Sequence, residues 1–168
     1  MATHRIPIFG QNTAPDTVGG TYWEPWSIKA TTARFDPDVL IFSDGGSKYT
    51  VHGAFTVPKN YVGGPGIILV WTSDASTPSG NLIMDFEYRA IGGTESLDQT
   101  SQQEAKTETI TWAGSQFDRQ EDEITGITAG NFAVDDTVLF ELGRDNTASD
   151  TLNSAAIVFQ VLFEYDDA

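Results

Sequence analysis

The sequence predicts an all-β protein, a single-domain antiparallel β-sandwich of jelly-roll type with about eight or nine strands. Three observations favour this fold. Short strand-forming runs recur along the chain, turn-forming residues separate them at short intervals, and the last third carries two strong runs at 137–142 and 157–165. Because the second run reaches almost to Ala168, we expect the C-terminal segment to be a core strand rather than a tail.

The candidate strands alternate with turn-forming residues along most of the chain. Clusters such as Gly19-Gly20, Asp44-Gly45-Gly46 and Gly63-Gly64-Pro65-Gly66 separate them. The candidates lie near 21–30, 38–43, 48–57, 66–73, 81–91, 106–112, 121–128, 137–144 and 155–165. This spacing predicts one sandwich domain over 16–168, in which the polar stretch 94–105 is an exposed connection between strands.

Residues 1–15 are predicted to form an extended N-terminal arm, because prolines and a glycine punctuate the segment. Ile6, Ile8 and Phe9 offer apolar side chains to bury, which makes them candidates for contact with a capsid surface or a neighbouring subunit. Packing of the arm against its own domain is the alternative, and the sequence favours neither.

Hydrophobic periodicity indicates which side chains form the core. In 82–89, the even positions are apolar or aromatic and the odd positions from Asp85 onward are charged, as in a strand with one buried and one wet face. The run 67–71 is apolar without alternation, as in a strand covered on both sides or at a subunit interface. The predicted core consists of Phe55, Val57, Leu69, Trp71, Leu82, Met84, Phe86, Val138, Phe140, Phe159, Val161 and Phe163.

Charge and composition limit the classes of partner that this protein is expected to bind. The 168 residues include 24 acidic and 9 basic side chains, a net charge of −15. This charge repels phosphate backbones and anionic membranes, so neither nucleic acid nor a membrane is an expected partner. Without cysteine, stability must come from the packed core or from subunit contacts such as those of a trimer. No apolar run approaches the length of about 20 residues that spans a membrane.

Residues suited to catalysis are sparse, and no enzyme activity is predicted. His4 lies in the arm, and His52 lies on the polar side of a candidate strand. No nucleophile elbow, phosphate-binding glycine loop or metalloprotease motif is present. Two acidic pairs, Asp85/Glu87 and Glu121/Glu123, resemble the spacing of glycosidase carboxylates, but solvated strand faces explain both pairs.

A weak metal site is conceivable in the segment 144–150, which joins two candidate strands. Asp145 and Asp150 supply oxygen ligands of the kind that Ca²⁺ prefers. The segment lacks the spacing and the glycine of an EF-hand loop, and Asx-type turns account for the same residues. No other cofactor is expected.

Tryptophans are candidates for glycan binding. Trp23, Trp26 and Trp112 would suit stacking on sugar rings if they were exposed beside acidic and amide groups. Burial in the core is the competing interpretation for all three, and Trp71 is assigned to the core outright.

Segments spread over nearly the whole chain carry a resemblance to a known group of proteins. They read MATHRIPIFG at 1–10, FTVPKNYVG at 55–63, DFEYRA at 85–90, ESLDQ at 95–99, FAVDDT at 132–137 and FEY at 163–165. The chain resembles small virion-associated structural proteins of tailed bacteriophages, common in marine phages. This resemblance implies a virion protein that is assembled in the host cytoplasm, and it carries over no catalytic residue.

Two functions compete in that setting. The first is a capsid decoration or cement protein, a homotrimer that binds the major capsid protein and stabilises the capsid surface. The second is a receptor-binding module on the tail or a head fibre, which binds a host glycan through the tryptophans, with the weak Ca²⁺ site as a further candidate contact. A jelly-roll sandwich serves either function.

Overall fold

The computed structural model describes residues 1–9, 14–15, 20–25, 37–77, 79–147 and 149–168. Apart from one 3₁₀ turn at Ala129–Asn131, the regular structure in these ranges is β-strand. The strands are β1 (Thr3–Pro7), β2 (Ala14–Pro15), β3 (Thr21–Pro25), β4 (Asp38–Phe42), β5 (Lys48–Thr56), β6 (Tyr61–Ser73), β7 (Asn81–Ile91), β8 (Glu104–Thr111), β9 (Gln120–Ile124), β10 (Thr137–Asp145) and β11 (Ala156–Asp167). No helix in the described ranges has the length and apolar content needed to cross a membrane.

These strands form two antiparallel sheets. The six-stranded sheet has the order β3-β4-β11-β6-β9, and β1 pairs with the second half of β11. The five-stranded sheet has the order β2-β5-β10-β7-β8. From β4 onward every connection crosses from one sheet to the other, except the hairpin between β7 and β8. The chain is therefore an antiparallel β-sandwich of jelly-roll type, which confirms the predicted fold class.

Each of the nine candidate strands overlaps an observed strand. The largest difference is at Gly63–Gly66, which was expected to be a turn and instead lies inside β6. Gly64 adopts a φ of +62°, and the pairing with β11 shifts register between Glu164 and Asp166. The glycines therefore serve a bulged strand, in which a side chain at Gly66 would lie 2.5 Å from a carboxylate oxygen of Glu123.

The first residues of the predicted arm lie on the chain's own sandwich. β1 pairs antiparallel with β11, with Thr3 opposite Asp166, and the Ile8 N–H donates to the Val161 carbonyl at 2.9 Å. Ile8 is buried among the core residues. The contact of Ile6, Ile8 and Phe9 with a capsid or a neighbouring subunit remains a prediction.

The core lies between the two sheets and is rich in aromatic side chains. Ten of the twelve predicted core residues are buried there: Val57, Leu69, Trp71, Leu82, Met84, Phe86, Val138, Phe140, Val161 and Phe163. Phe55 is partly buried and packs on Phe163, with ring centroids 4.8 Å apart. Burial of each large apolar side chain contributes roughly 1.5–3 kcal/mol to folding, so this cluster is the main source of stability.

Phe159 differs from its prediction because of a β-bulge. The pairing of β11 with β6 shifts register between Val158 and Gln160, which turns Phe159 away from the core. Phe159 instead packs against a second apolar cluster formed by Val39, Ile41 and Ile157. The alternation of apolar and polar residues could not predict the face of Phe159, because the extra residue of a bulge reverses which residues of the strand point inward.

Candidate functional site: a groove over the five-stranded sheet

The outer face of the five-stranded sheet carries the polar half of its alternating strands. His52 on β5, Glu141 on β10 and Glu87 on β7 lie directly opposite one another in register. Leu139 and Arg89 are partners in the adjoining row. Because cross-strand neighbours on one face are about 4.5–5.5 Å apart, the two rows form a continuous floor.

Lys48 crosses this floor and joins three carboxylates. Its Nζ lies 2.8 Å from Glu87 Oε1 and 3.2 Å from both Asp85 Oδ2 and Glu141 Oε1. Gly143 permits the crossing, since a Cβ at that position would lie 2.9 Å from Lys48 Cε. Burial by itself would lower the pKa of Lys48, but the hydrogen bond to Glu87 and the charge of Asp85 outweigh burial and raise it above its ordinary value. The ammonium group therefore stays charged and holds the carboxylates in place.

The connection between β7 and β8 forms a wall of the groove. Gln103 anchors the end of this connection, because its N–H donates to the Tyr88 carbonyl at 2.7 Å and its side-chain oxygen accepts from the Ala90 N–H at 3.1 Å. Residues 99–102 line the space above the floor, which is an open cavity of about 420 Å³. The predicted exposed connection is thus the element that turns a sheet face into a groove.

A second cavity of about 390 Å³ lies next to the first, at the end of β7. Glu95 lines it on one side, and Ala133 and Asp136 line it on the other. The Asp136 carboxylate accepts from the Ala133 N–H at 2.8 Å, which fixes its orientation. Arg89 lines both cavities, and its Nη1 donates to the Ser101 carbonyl over a long 3.5 Å.

The groove combines many hydrogen-bonding groups with a little apolar surface. The carboxylates of Glu87 and Glu141 are acceptors, the guanidinium of Arg89 is a donor, and the side chains of Gln99 and Gln102 can do both. Half-buried Leu139 adds an apolar patch to the floor. Such a lining suits a ligand with many hydroxyl groups and some exposed C–H surface.

The predicted aromatic platform is not brought together in the described residues. Trp112 is buried, and its ring packs on that of Trp71 with centroids 5.2 Å apart. Trp23 is half-buried, with its ring 4.7 Å from that of Phe9. Trp26 lies outside the described residues. Trp112 therefore faces the core and has no exposed ring for a sugar to stack on.

The two aspartates proposed as Ca²⁺ ligands have other partners. Asp150 forms a two-point ion pair with the fully buried Arg144, at 2.8 and 3.0 Å. Asp145 Oδ1 accepts from the Thr147 N–H at 2.8 Å, which is the geometry of an Asx turn. Among the described residues no group of three or more His, Asp or Glu side chains has the arrangement of a metal site.

Of the two histidines and the acidic pair Glu121/Glu123, His52 lies on the groove floor and the others lie elsewhere. His52 is exposed, with Nδ1 3.8 Å from Glu141 Oε2. His4 contacts Asp167 Oδ2 at 2.7 Å on the six-stranded sheet. Glu121 on that sheet accepts from Arg119 and from Arg5, each at 2.5 Å, and these two hydrogen bonds lower its pKa. Burial raises the pKa of its neighbour Glu123.

Sequence reasoning placed Asp85, Glu87 and Arg89 on one wet face but did not bring Lys48 and Glu141 to it. A signal for Glu141 was present, because the alternation in 137–142 predicts that Leu139 and Glu141 share an outer face. A signal for the burial of Trp112 was also present, since Ile110 and Trp112 alternate with threonines. The partnership with Lys48 depends on the order of strands, which the sequence pattern does not reveal.

Comparisons with known proteins support the fold class defined above. No family model matches the chain, and no curated protein matches it. Among solved structures, a carbohydrate-binding module of family 28, described as specific for non-crystalline cellulose, has a TM-score of 0.54 at 12% identity, and the match covers 93% of this chain and 89% of that one.

Two further structures extend the comparison. An arabinose-bound α-L-arabinofuranosidase has a TM-score of 0.51 at 13% identity, and the match covers 95% of this chain but only 24% of the enzyme. An adhesin domain of Lys-gingipain from Porphyromonas gingivalis W83 has a TM-score of 0.47 at 15% identity, with 99% of both chains covered. Several other similar structures are also carbohydrate-binding modules. At these identities the likeness defines the sandwich fold alone.

Proposed function

We propose that this protein is a non-catalytic binding module whose ligand is a glycan held in the groove over the five-stranded sheet. The observation that carries the proposal is the built form of the groove, with a fixed polar floor, an anchored wall and a cavity of about 420 Å³. The fold shared with a cellulose-specific module is consistent with this role, because that sandwich supports glycan binding in at least one other protein.

The floor would bind sugar hydroxyls through side chains that are already in position. Lys48 holds Glu87 and Glu141, so a ligand does not have to order these carboxylates, and the entropic cost of binding is reduced. A catalytic pair would need one carboxyl group free to donate a proton. Because both carboxylates are engaged by the same ammonium group, the arrangement favours binding over hydrolysis.

Glycan binding can be tested with one substitution in the floor and a matched substitution elsewhere. Leu139→Arg places a long side chain in the groove, and we expect it to weaken retention in polysaccharide-containing native gels at least tenfold. Leu97→Arg is the control, because Leu97 is 60% exposed and does not line the cavity. Equal retention of the wild type and Leu139→Arg, or no retention of the wild type on any polysaccharide, would contradict the proposal.

The virion of a tailed phage is the setting we propose, on the strength of the sequence resemblance. A glycan-binding module on a tail or head fibre would attach the particle to the host surface. In this setting the glycan candidate ranks ahead of capsid decoration, because a built groove supports it.

Capsid decoration is the second candidate, and one observation favours it. Four large apolar side chains are exposed at one end of the sandwich: Met1 at 96%, Val62 at 53%, Leu97 at 60% and Val134 at 43%. The register puts them near the start of β1 and β6, the β7–β8 connection and the start of β10. Apolar residues gathered at one end suit contact with another protein, such as the major capsid protein or the other subunits of a trimer.

Cryo-electron microscopy of the intact particle separates the two candidates. Density repeated across the capsid in hundreds of copies is expected for a decoration protein, whereas density confined to the tail or to fibres is expected for a receptor-binding module. Leu97→Arg should weaken attachment in the first case only.

A further inference from the structure

The two cavities share a wall residue, Arg89, and together they extend from the centre of the five-stranded sheet to its end. The first lies over β5, β10 and β7, and the second lies between the β7–β8 connection and the loop that contains the 3₁₀ turn. A monosaccharide or short oligosaccharide would occupy only one of them. The common lining residue makes a ligand that crosses from one to the other physically reasonable.

Carboxylates line the path on both sides of Arg89. The first cavity contains Glu87 and Glu141, and the second contains Glu95 and Asp136. These four acids face one guanidinium, in a protein whose net charge is −15. A polymer that carries carboxylate, sulfate or phosphate groups would meet like charges at short range, which costs binding free energy and slows its approach.

Each of the four carboxylates already has a donor within the protein. Lys48 binds Glu87 and Glu141, the Gly92 N–H binds Glu95 at 3.1 Å, and the Ala133 N–H binds Asp136. An ionised carboxylate has about four lone-pair sites, so each can still accept hydrogen bonds from hydroxyl groups. Arg89 supplies N–H donors at the midpoint, where ligand oxygens would lie.

We infer that the ligand of this groove is a linear glycan without acidic groups, long enough to contact both cavities, with Arg89 at its centre. The inference rests on the proposed function and adds to it the class and minimum extent of the ligand. The charge of the lining and the shared position of Arg89 carry it.

The charge arm of the test uses matched pairs of polysaccharides that share a backbone. We would compare hydroxyethylcellulose with carboxymethylcellulose, and dextran with dextran sulfate, by retention of the full chain in native gels at physiological ionic strength. We expect the neutral member of a retained pair to bind at least tenfold more tightly than its anionic partner. Equal or tighter binding of the anionic member would overturn the inference while leaving glycan binding intact.

The length arm of the test fills the second cavity. Ala133→Trp places a large side chain there, and Ala113→Trp is the matched control at an exposed position outside both cavities. We expect Ala133→Trp to weaken binding of the retained polymer at least tenfold and to leave binding of its trisaccharide unchanged. If both variants bind the polymer like the wild type, the second cavity is not used and the inference fails.

Two controls keep the outcomes distinct. Thermal unfolding of each variant establishes that the sandwich is folded at the temperature of the binding measurement. If the wild type binds none of the neutral or anionic polymers, the proposed function itself fails and the inference fails with it. Arg89→Gln provides an independent check, since it should weaken binding of the polymer by more than it weakens binding of the trisaccharide.

Discussion

At the scale of single residues, Glu104 is a carboxylate whose pKa the fold lowers strongly. Its Oε2 accepts from the Tyr88 hydroxyl at 2.5 Å, and its two oxygens accept from the N–H and the hydroxyl of Thr128 at 3.0 and 2.7 Å. Burial would raise the pKa of Glu104, but the bonds from Tyr88, Lys106 and Thr128 outweigh it and lower the pKa to about 2. Glu104 thereby links the start of β8 to the loop before the 3₁₀ turn.

This shift predicts how stability depends on pH. A carboxyl group whose pKa falls on folding adds stability above its ordinary value of 4.5, and that stability is lost as the pH falls from 4.5 towards 2. Glu104→Gln should lower the free energy of unfolding by about 1–3 kcal/mol at pH 7, since Tyr88 and Thr128 lose a charged acceptor. Urea unfolding between pH 7 and 3 should show a smaller loss of stability in this variant than in the wild type.

Glu108→Gln is the control for that measurement. Glu108 lies half-buried on the same face of β8 as Glu104 and accepts from the Thr125 hydroxyl at 3.2 Å. We expect its replacement to change the free energy of unfolding by less than about 0.5 kcal/mol at pH 7. A similar effect of the two substitutions would mean that the network around Tyr88 contributes no more than a surface carboxylate.

At the scale of the element, β1 is a short strand held by both apolar and charged contacts. The alternation of side chains along β1 points Ile6 towards the core, and Ile8, two residues further on, is buried there. On the outer side, Arg5 binds Glu164 at 2.6 Å, while His4, on the same side of β1 as Ile6, contacts Asp167 at 2.7 Å. The few basic residues at this end of the sequence therefore match the acidic end of β11.

Deletion of residues 1–9 should destabilise the sandwich. The loss of buried Ile8 alone would cost roughly 1.5–3 kcal/mol, and the exposed edge of β11 should favour association with a second chain. Arg5→Gln is the milder control, expected to cost under about 1 kcal/mol because surface ion pairs contribute little. The urea midpoint and the elution volume in size-exclusion chromatography measure both effects, and an unchanged midpoint on deletion would show that β1 adds no stability.

The elements themselves were largely predictable from local signals. Alternation in 82–89 fixed the faces of β7, and turn-forming clusters located the ends of most strands. The prediction was wrong at Gly63–Gly66, because glycines that permit a bulged strand look like those that permit a turn. Phe159 was assigned to the wrong face for a related reason, since a bulge depends on the partner strand.

At the scale of the whole molecule, the dominant property is the excess of acidic charge. With 24 acidic and 9 basic residues, carboxylates outnumber basic groups by more than two to one, and their mutual repulsion opposes the compact state. Lys48 illustrates the consequence, since one ammonium group serves three carboxylates. Screening by salt should therefore stabilise this protein more than it weakens the surface ion pairs.

Thermal unfolding at increasing sodium chloride concentration tests this expectation. We expect Tm to rise between about 10 mM and 500 mM salt, because the Debye length shortens from about 30 Å towards a few ångströms. A variant with Asp74, Asp98 and Asp135 replaced by asparagine removes three exposed charges and should show a smaller rise. A Tm that falls with salt in the wild type would mean that attractive ion pairs outweigh the repulsion.

The candidate site was much less predictable than the fold. The wet face of β7 followed from the sequence, but the groove exists because Gly143 lets Lys48 reach Asp85 and Glu87, and these residues are distant along the chain. The sequence also could not predict that Gln103 anchors the wall. A polar connection has the same composition whether it extends away from the sheet or folds over it. When a site depends on which strands are neighbours, its residues can be recognised only after the strand order is known.

The position of β11 also has a consequence for how the chain is made. β11 lies between β6 on one side and β4 and β1 on the other, so the strand that comes last in this sequence lies in the middle of its sheet. The bond from Thr3 to Asp166 closes a separation of 163 residues. During synthesis β4 and β6 keep an unpaired edge until β11 has emerged from the ribosome. Folding of the six-stranded sheet should therefore be completed only after β11 has emerged, on the slow timescale of milliseconds to seconds that long-range pairing imposes.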